Sequence, residues 1–364
     1  MSLLFLHLII ILLLLLSCYI PTVTWAYTTT NVGMYNKPDN KPVVVLGATG
    51  KVGRLVVSKL LKKGVPVRAM CRDVDKGRSL FPKTQWEDPS KLTLVRGDVT
   101  DPESLSAAIE GCGAVVSVHG TVHLTPWYKM LLPFYWSTHA PLRFKAAQTH
   151  PYFTNFIAMQ DVVSLCEKHG VERVVRLTGL SCAFPPWNPV SVIFNALLSF
   201  SARYHRMGEE AVRGSEKVKS FVIRPGGLSD EERDPEKTKL QVDFSGNLPP
   251  PARVGRSDVA DLAVLAATTR EGVVGSSPDL VAAVRWVGSV PPKSQGSLSD
   301  GAEGAEGALE MAREKGVTCK PSSSNHLGFA VFHGLYVYAF LGVVAKLALA
   351  LGGGLVRFGR SVFL

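Results

Sequence analysis

The chain has 364 residues, 46% of them apolar, and a formal net charge of +10. That length holds one large domain or two ordinary ones and excludes a chain too short to bury its own core. Its Lys and Arg residues are scattered without a long run, which argues against nucleic acid as a partner and leaves a solvated basic surface.

Leu3 to Leu16 is almost entirely Leu, Ile and Phe, and Val23-Thr24-Trp25-Ala26 follows with small residues at Thr24 and Ala26. Residues 1–26 therefore read as a secretory signal peptide or, because no Lys or Arg precedes the apolar run, as an uncleaved anchor. Tyr27 comes next and residues 27–36 carry no acid, a layout that resembles proteins imported into the plastids of algae with complex plastids. The expected address is membrane-associated on the secretory or ER route, with an algal plastid as the alternative. Residues 27–41 form an exposed lead-in rich in Asn, Thr, Lys and Pro.

From residue 42 strand and helix signals alternate. Val43–Leu46, Val67–Met70, Leu92–Val95, Ala114–Val118, Arg173–Leu177 and Phe221–Ile223 read as strands. Val52–Lys62 and Pro102–Glu110 read as helices, and Phe156, Met159, Val163 and Cys166 recur at helical spacing on a third. This alternation predicts an α/β fold with a parallel sheet covered by helices on both faces. The aromatic-rich stretch from Thr121 to Tyr152 interrupts it and reads as a lid, a patch resting on a membrane, or a small satellite core. Ser257-Asp258 reads as a cap before a helix at Val259–Thr268, and Asp279–Val287 as a last strand.

Residues 291–326, rich in Gly, Ser, Pro, Glu and Lys, are expected to be a flexible linker with at most one short helix. Leu327 to Ala345 carries no Lys, Arg, Asp or Glu, so residues 327–351 read as a transmembrane or membrane-associated helix, or as a packed C-terminal helix pair. Residues 352–364 form a basic tail; Lys346, Arg357 and Arg360 place the C-terminus toward cytosol or stroma. Of the six cysteines none has metal-ligand spacing, so no metal site is expected, and Cys71, Cys112 and Cys166 read as buried free thiols.

The segment Gly47-Ala48-Thr49-Gly50-Lys51-Val52-Gly53 lies between the first strand and the first helix. Glycines there let the backbone approach a pyrophosphate, and the helix N-terminus faces its charge. Gly47, Thr49, Gly50, Lys51, Val52 and Gly53 are thus candidate diphosphate-binding residues. Arg72 stands at the end of the second strand, where an NAD site places an acid, and points to the 2′-phosphate of NADP; Asp73 keeps NAD as the lesser reading. Asp98 and Val99 fall beside the adenine, with Thr100 or Asp101 as a helix cap, and Ser117 and Gly120 border the nicotinamide ribose.

Three further stretches carry a resemblance. They are Gly170-Val171-Glu172-Arg173-Val174-Val175-Arg176-Leu177-Thr178, Ile223-Arg224-Pro225-Gly226-Gly227-Leu228 and Arg256-Ser257-Asp258-Val259-Ala260. With the glycine loop they make residues 42–290 similar to atypical short-chain dehydrogenase/reductases of the NmrA-like, NAD(P)-binding branch. The resemblance implies a Rossmann-type doubly wound core with a small C-terminal substrate region.

Hydride-transfer members of that superfamily pair a Tyr with a Lys four residues later, because a free Tyr is a poor acid–base group at neutral pH. Here Tyr204 is followed at that spacing by Gly208, so the Tyr-x-x-x-Lys pair is absent. Thr178 or Ser181 can supply the orienting hydroxyl. His205 can act as acid–base group with Glu209 tuning it from one turn away, the plainer reading being a surface pair. The candidate catalytic residues are therefore Thr178, Tyr204 and His205. Two functions fit: an NADPH-dependent reductase of an apolar small molecule near a membrane, and a non-catalytic NAD(P)H-binding sensor or assembly factor.

Overall fold

The computed structural model describes residues 41–121, 123–126, 147–185, 188, 191, 195, 197–248, 252–269, 279–288 and 304–314, with single helical positions at 335, 339, 342 and 346. The expected leader over residues 1–26, most of the lead-in, the centre of the aromatic insertion, most of the linker, nearly all of the 327–351 stretch and the basic tail lie outside the described residues. Among the described residues no helix is long and apolar enough to cross a membrane.

Ten strands and eight α-helices follow in chain order among these residues. They are β1 (Val43–Leu46), α1 (Lys51–Lys62), β2 (Val67–Cys71), α2 (Val74–Leu80), α3 (Lys83–Trp86), β3 (Leu92–Arg96), α4 (Pro102–Ile109) and β4 (Ala114–Ser117). A π-helical turn, Tyr152–Ile157, then runs into α5 (Ala158–His169), followed by β5 (Arg173–Leu177), α6 (Ser201–Arg213), β6 (Lys219–Pro225) and β7 (Gly227–Ser229). The series ends with β8 (Thr238–Asp243), β9 (Arg253–Gly255), α7 (Arg256–Thr268), β10 (Asp279–Gly288) and α8 (Ala305–Glu314).

The main sheet has the order β3-β2-β1-β4-β5-β6-β10-β8. All of its pairings are parallel except β10 with the edge strand β8, and β1 sets the register, with Val45 opposite Ala69 on one side and Val116 on the other. β1 is apolar and buried along its whole length because both of its faces are covered. On one face α1 buries Val52, Val56, Val57 and Leu60, and α7 buries Val259 through Thr268 with only Asp261 less than buried. On the other, α4 and α5 bury Leu105, Ile109, Met159 and Val162 in a second cluster. Strand order runs outward in opposite directions from β1 and β4, and such a reversal opens a crevice beyond the carboxyl ends of the strands. A small parallel pair, β7 with β9, sits beyond β6.

Several local expectations change. α7 begins at Arg256, so Ser257 and Asp258 lie inside it and provide no cap. Asp258 instead accepts from the Trp286 indole (2.7 Å) and from Arg233 (3.3 Å), tying α7 to β10 and to the loop after β7. The single helix expected in 291–326 is α8, but it is no free linker: Ala308, Leu309 and Ala312 are buried in the α1–α7 core. Cys71, Cys112, Cys166 and also Cys182 are buried free thiols.

Candidate functional site

The strand reversal opens onto a cleft of about 230 Å³ lined by Gly47, Thr49 and Gly50, by Arg72 after β2, and by Gly97 to Thr100 after β3. The opposite flank is Val118 to Thr121 after β4, with Gln148, Thr149 and Thr154. At the centre α1 starts with Gly50 as its N-cap, with no side-chain cap and no acid in its first turn. Its first amides therefore keep the unpaired donors and positive end of the helix dipole that an anion needs. Gly53 holds this loop down: a Cβ there would overlap the Gly47 carbonyl oxygen and crowd the Ala48 backbone. Val52 is buried beneath the loop, and the Lys51 ammonium is turned to Asp230 (2.6 Å), which also accepts from Arg256 (2.7 Å). Lys51, Val52 and Gly53 thus reach the cleft, if at all, through backbone amides.

On the β2–β3 flank Arg72 is exposed beside the cleft. Asp73 caps α2, accepting from the amides of Asp75 (3.0 Å) and Lys76 (3.1 Å). Asp98 lines the cleft and at the same time closes its own turn, accepting from the amide and the hydroxyl of Thr100, both at 2.9 Å. Asp101, not Thr100, caps α4.

Behind the β4 flank lies a buried polar cluster. Arg176, fully buried on β5, donates through Nη1 to Ser117 Oγ (2.7 Å) and to the His119 carbonyl (3.1 Å), and through Nη2 to His205 Nδ1 (3.2 Å). Its Nε is buried without a partner. A guanidinium can only donate, so His205 Nδ1 is an acceptor and the proton of that ring sits on Nε2. His119 is the same tautomer for a different reason: its Nε2 donates to the Thr154 carbonyl (2.8 Å), which leaves Nδ1 to accept from Ser117 (3.1 Å). Arg176 Nη1 is also 3.3 Å from His119 Nε2; both atoms carry hydrogen, so that contact is repulsive. Burial and the Arg176 charge push His205 down to about 3 and hold His119 well below the usual histidine range.

That arrangement has a pH signature. Below the ordinary histidine value of 6.5 the unfolded chain takes up a proton on each ring that the folded chain refuses, so stability is fully present above that value and is lost as pH falls toward 3. Each ring is expected to contribute a slope of about 1.4 kcal/mol per pH unit once titration of the unfolded chain is under way. Urea denaturation between pH 6.5 and pH 5 should show this slope, and His205→Gln should flatten it by about one proton; an identical slope in the variant would refute the assignment.

The three expected catalytic residues are dispersed. Thr178 donates its hydroxyl to Glu209, so it is engaged within the cluster. Tyr204 is 1% exposed and packs edge-on against the rings of His150, Tyr152 and Phe200. The Gly208 position is closed to any side chain, because a Cβ there would overlap the Asn155 carbonyl of the π-helical turn; the missing Lys has no room. His205 alone of the three approaches the cleft, with Nε2 and Cε1 each 3.6 Å from where a Cβ on Gly120 would stand. Its expected partner is corrected: Glu209 does not tune His205 and is no surface residue. It is buried in an ion pair with Arg224, whose Nε lies 3.1 Å from both carboxylate oxygens and whose Nη1 donates to the Gly246 carbonyl (3.0 Å). Ser117 is corrected too: it is buried and faces Arg176 and His119, behind the flank that Gly120 lines.

The residues that sequence reasoning missed are Arg176, Arg224 and Thr154. Arg176 and Arg224 had a signal: each is a charge inside an otherwise apolar central strand, which persists only if something buried answers it. Thr154 had none, being joined across an insertion to His119, which stands in the segment Val116-Ser117-Val118-His119-Gly120 expected at the nicotinamide ribose.

The comparisons with known proteins accord with this geometry. A family model described as NAD(P)H-binding matches residues 47–270. An uncharacterized chloroplastic protein of Arabidopsis thaliana is 28% identical over 225 residues, 58% of this chain and 70% of its own length. An anthocyanidin reductase of Vitis vinifera is 36% identical over 83 residues, which is 23% of this chain and 25% of the reductase. A solved protein of the NAD-dependent epimerase/dehydratase kind from Bacillus halodurans superposes with a TM-score of 0.51 at 19% identity, covering 74% of this chain and 99% of that one, a likeness of fold.

Proposed function

The chain belongs to the NAD(P)H-binding family and resembles the atypical, NmrA-like short-chain dehydrogenase/reductase branch, and from that premise we propose that the cleft holds NADPH. One observation carries the choice of NADP over NAD: the Asp73 carboxylate is spent on the first turn of α2, while Arg72 beside it remains directed to solvent at the cleft. A guanidinium there matches a 2′-phosphate, whereas one oxygen of the neighbouring carboxylate already accepts from two amides of α2. Gly47, Thr49 and Gly50 with the amides of Lys51, Val52 and Gly53 would cradle the diphosphate, Asp98 and Val99 would flank the adenine, and Gly120 would border the nicotinamide ribose. Arg72→Glu is expected to weaken NADPH binding about 10- to 100-fold, the worth of a charge-assisted hydrogen bond, and to leave NADH binding nearly unchanged. Fluorescence titration of both nucleotides checks this, and an unaltered NADPH/NADH ratio would refute the assignment.

For the reaction, the reading is a reductase of an apolar carbonyl compound near a membrane. When bound, the reduced nicotinamide supplies a hydride; the side chain placed to hydrogen-bond the substrate oxygen is His205, through its Nε2 proton at the Gly120 wall. His205 stays neutral and polarises the oxygen through that hydrogen bond, and the alkoxide that hydride addition would leave takes its proton from solvent in the open cleft. The apolar stretches 1–26 and 327–351 support membrane association, and the chloroplastic relative supports a plastid address. One observation favours the sensor reading instead: Tyr204 is sealed among aromatic rings and the Lys position is closed by packing. NADPH oxidation by the purified chain on addition of quinones, chlorophyllides and aldehydes separates the two. Turnover that His205→Leu abolishes supports the reductase; tight binding with no consumption across the panel supports the sensor.

A further inference from the structure

The two histidines are neutral, so the buried cluster behind the β4 flank carries two positive charges, Arg176 and Arg224, against one negative, Glu209. The other ionic groups that touch this region, Arg206 and Glu210 on α6, compensate each other at 3.6 Å. Glu209 is clasped by Arg224 and offsets the Arg176 charge only in part, so Arg176 is the cation with charge to spare, its Nε unpartnered and its Nη1 in contact with His119 of the cleft wall. The other ends of the cleft have evident occupants: the α1 N-terminus suits the diphosphate and Arg72 the phosphorylated ribose. The wall in front of Arg176 is therefore the wall left for the nicotinamide.

We infer that Arg176 makes the site selective for the redox state of the cofactor, holding the neutral reduced nicotinamide and rejecting the cationic oxidised ring. This rests on the cofactor reading above. NADPH and NADP⁺ share every phosphate, so the loop, the α1 dipole and Arg72 cannot tell them apart; the ring charge is the difference, and a buried like charge acts on it alone. The guanidinium is shielded from water, so its field is weakly screened. With partial compensation by Glu209, the residual like charge at an effective dielectric near 20 amounts to a discrimination of roughly tenfold. In a reductase this field would expel the spent cofactor; in a sensor it would make occupancy follow the reduced pool. The geometry serves either.

The test is isothermal calorimetry of the full chain with NADPH and with NADP⁺. The wild type is expected to bind NADPH roughly tenfold or more tightly than NADP⁺. Arg176→Met should bring the two affinities together, mainly by strengthening NADP⁺ binding, and Arg176→Lys should restore the gap. Glu209→Gln, which deletes the compensating charge and nearly keeps the side-chain shape, should widen it, and the wild-type ratio itself keeps the inference testable if either variant fails to fold. Equal affinities in the wild type, or a ratio unmoved in the variants, would overturn this inference and leave the cofactor reading standing. Binding of neither nucleotide would overturn both.

Discussion

Glu209→Ala is expected to cost about 3–5 kcal/mol of folding stability, the largest single loss among the polar positions of this fold. Glu209 on α6 is buried and accepts from Arg224 and from the Thr178 hydroxyl, and its charge is the main one that offsets burial of Arg176. Its removal leaves two buried guanidiniums on neighbouring strands, β5 and β6, with no anion between them. A domain stable by about 5–15 kcal/mol would retain little after that. Urea denaturation at pH 7.5 measures it; a loss below about 1 kcal/mol would mean that water already solvates the pair. The paired substitution Glu209→Leu with Arg224→Leu should recover part of the loss: it removes the unpaired Arg224, but Arg176 still lacks the charge that offsets its burial. The same experiment asks why these charges are kept. If the double variant is as stable as the wild type yet no longer binds nucleotide, the cluster is retained for the site and not for the fold.

The sheet was legible because its central parallel strands are short, mostly apolar runs bounded by turn residues; β1 and β5 start and stop at the expected residues. The glycine loop was legible because its chemistry is backbone chemistry, set by spacing between a strand and a helix. What stayed hidden depends on contacts between distant segments. His205 and Glu209 are one turn apart on α6, and spacing pairs them; the fold instead turns His205 to Arg176 and Glu209 to Arg224, because each cation is buried and requires a local answer. Asp258 has the sequence position of a cap, yet Gly255 starts α7 earlier and frees the carboxylate for Trp286. α8 has the composition of a linker, and a few small or apolar side chains, Ala305, Ala308, Leu309 and Ala312, betray a docked face. Composition reports average exposure, whereas docking requires only one apolar stripe.

Gly53→Ala is expected to abolish measurable nucleotide binding, a loss on the order of a hundredfold or more, equivalent to at least about 2.7 kcal/mol. Helix propensity pulls the other way: Ala in an ordinary helix interior is better than Gly by about 1 kcal/mol. The steric term wins here because the atom that a Cβ would strike is the Gly47 carbonyl oxygen, with the Ala48 backbone close behind, and backbone cannot rotate aside as a side-chain tip can. That oxygen in turn accepts from the Gly50 amide (3.0 Å), the bond that closes the loop onto the start of α1. Pushing the Gly47 carbonyl away opens that bond and displaces the amides that are left without side-chain caps at the helix N-terminus. Loss of the diphosphate cradle should thus appear with only a modest drop in thermal stability, since α1 keeps Val56, Val57 and Leu60 in the core. Calorimetry with NADPH beside a thermal melt separates the two effects. Unimpaired binding in a folded Gly53→Ala variant would show that the anion site is elsewhere, and the reading of the whole cleft would fall with it.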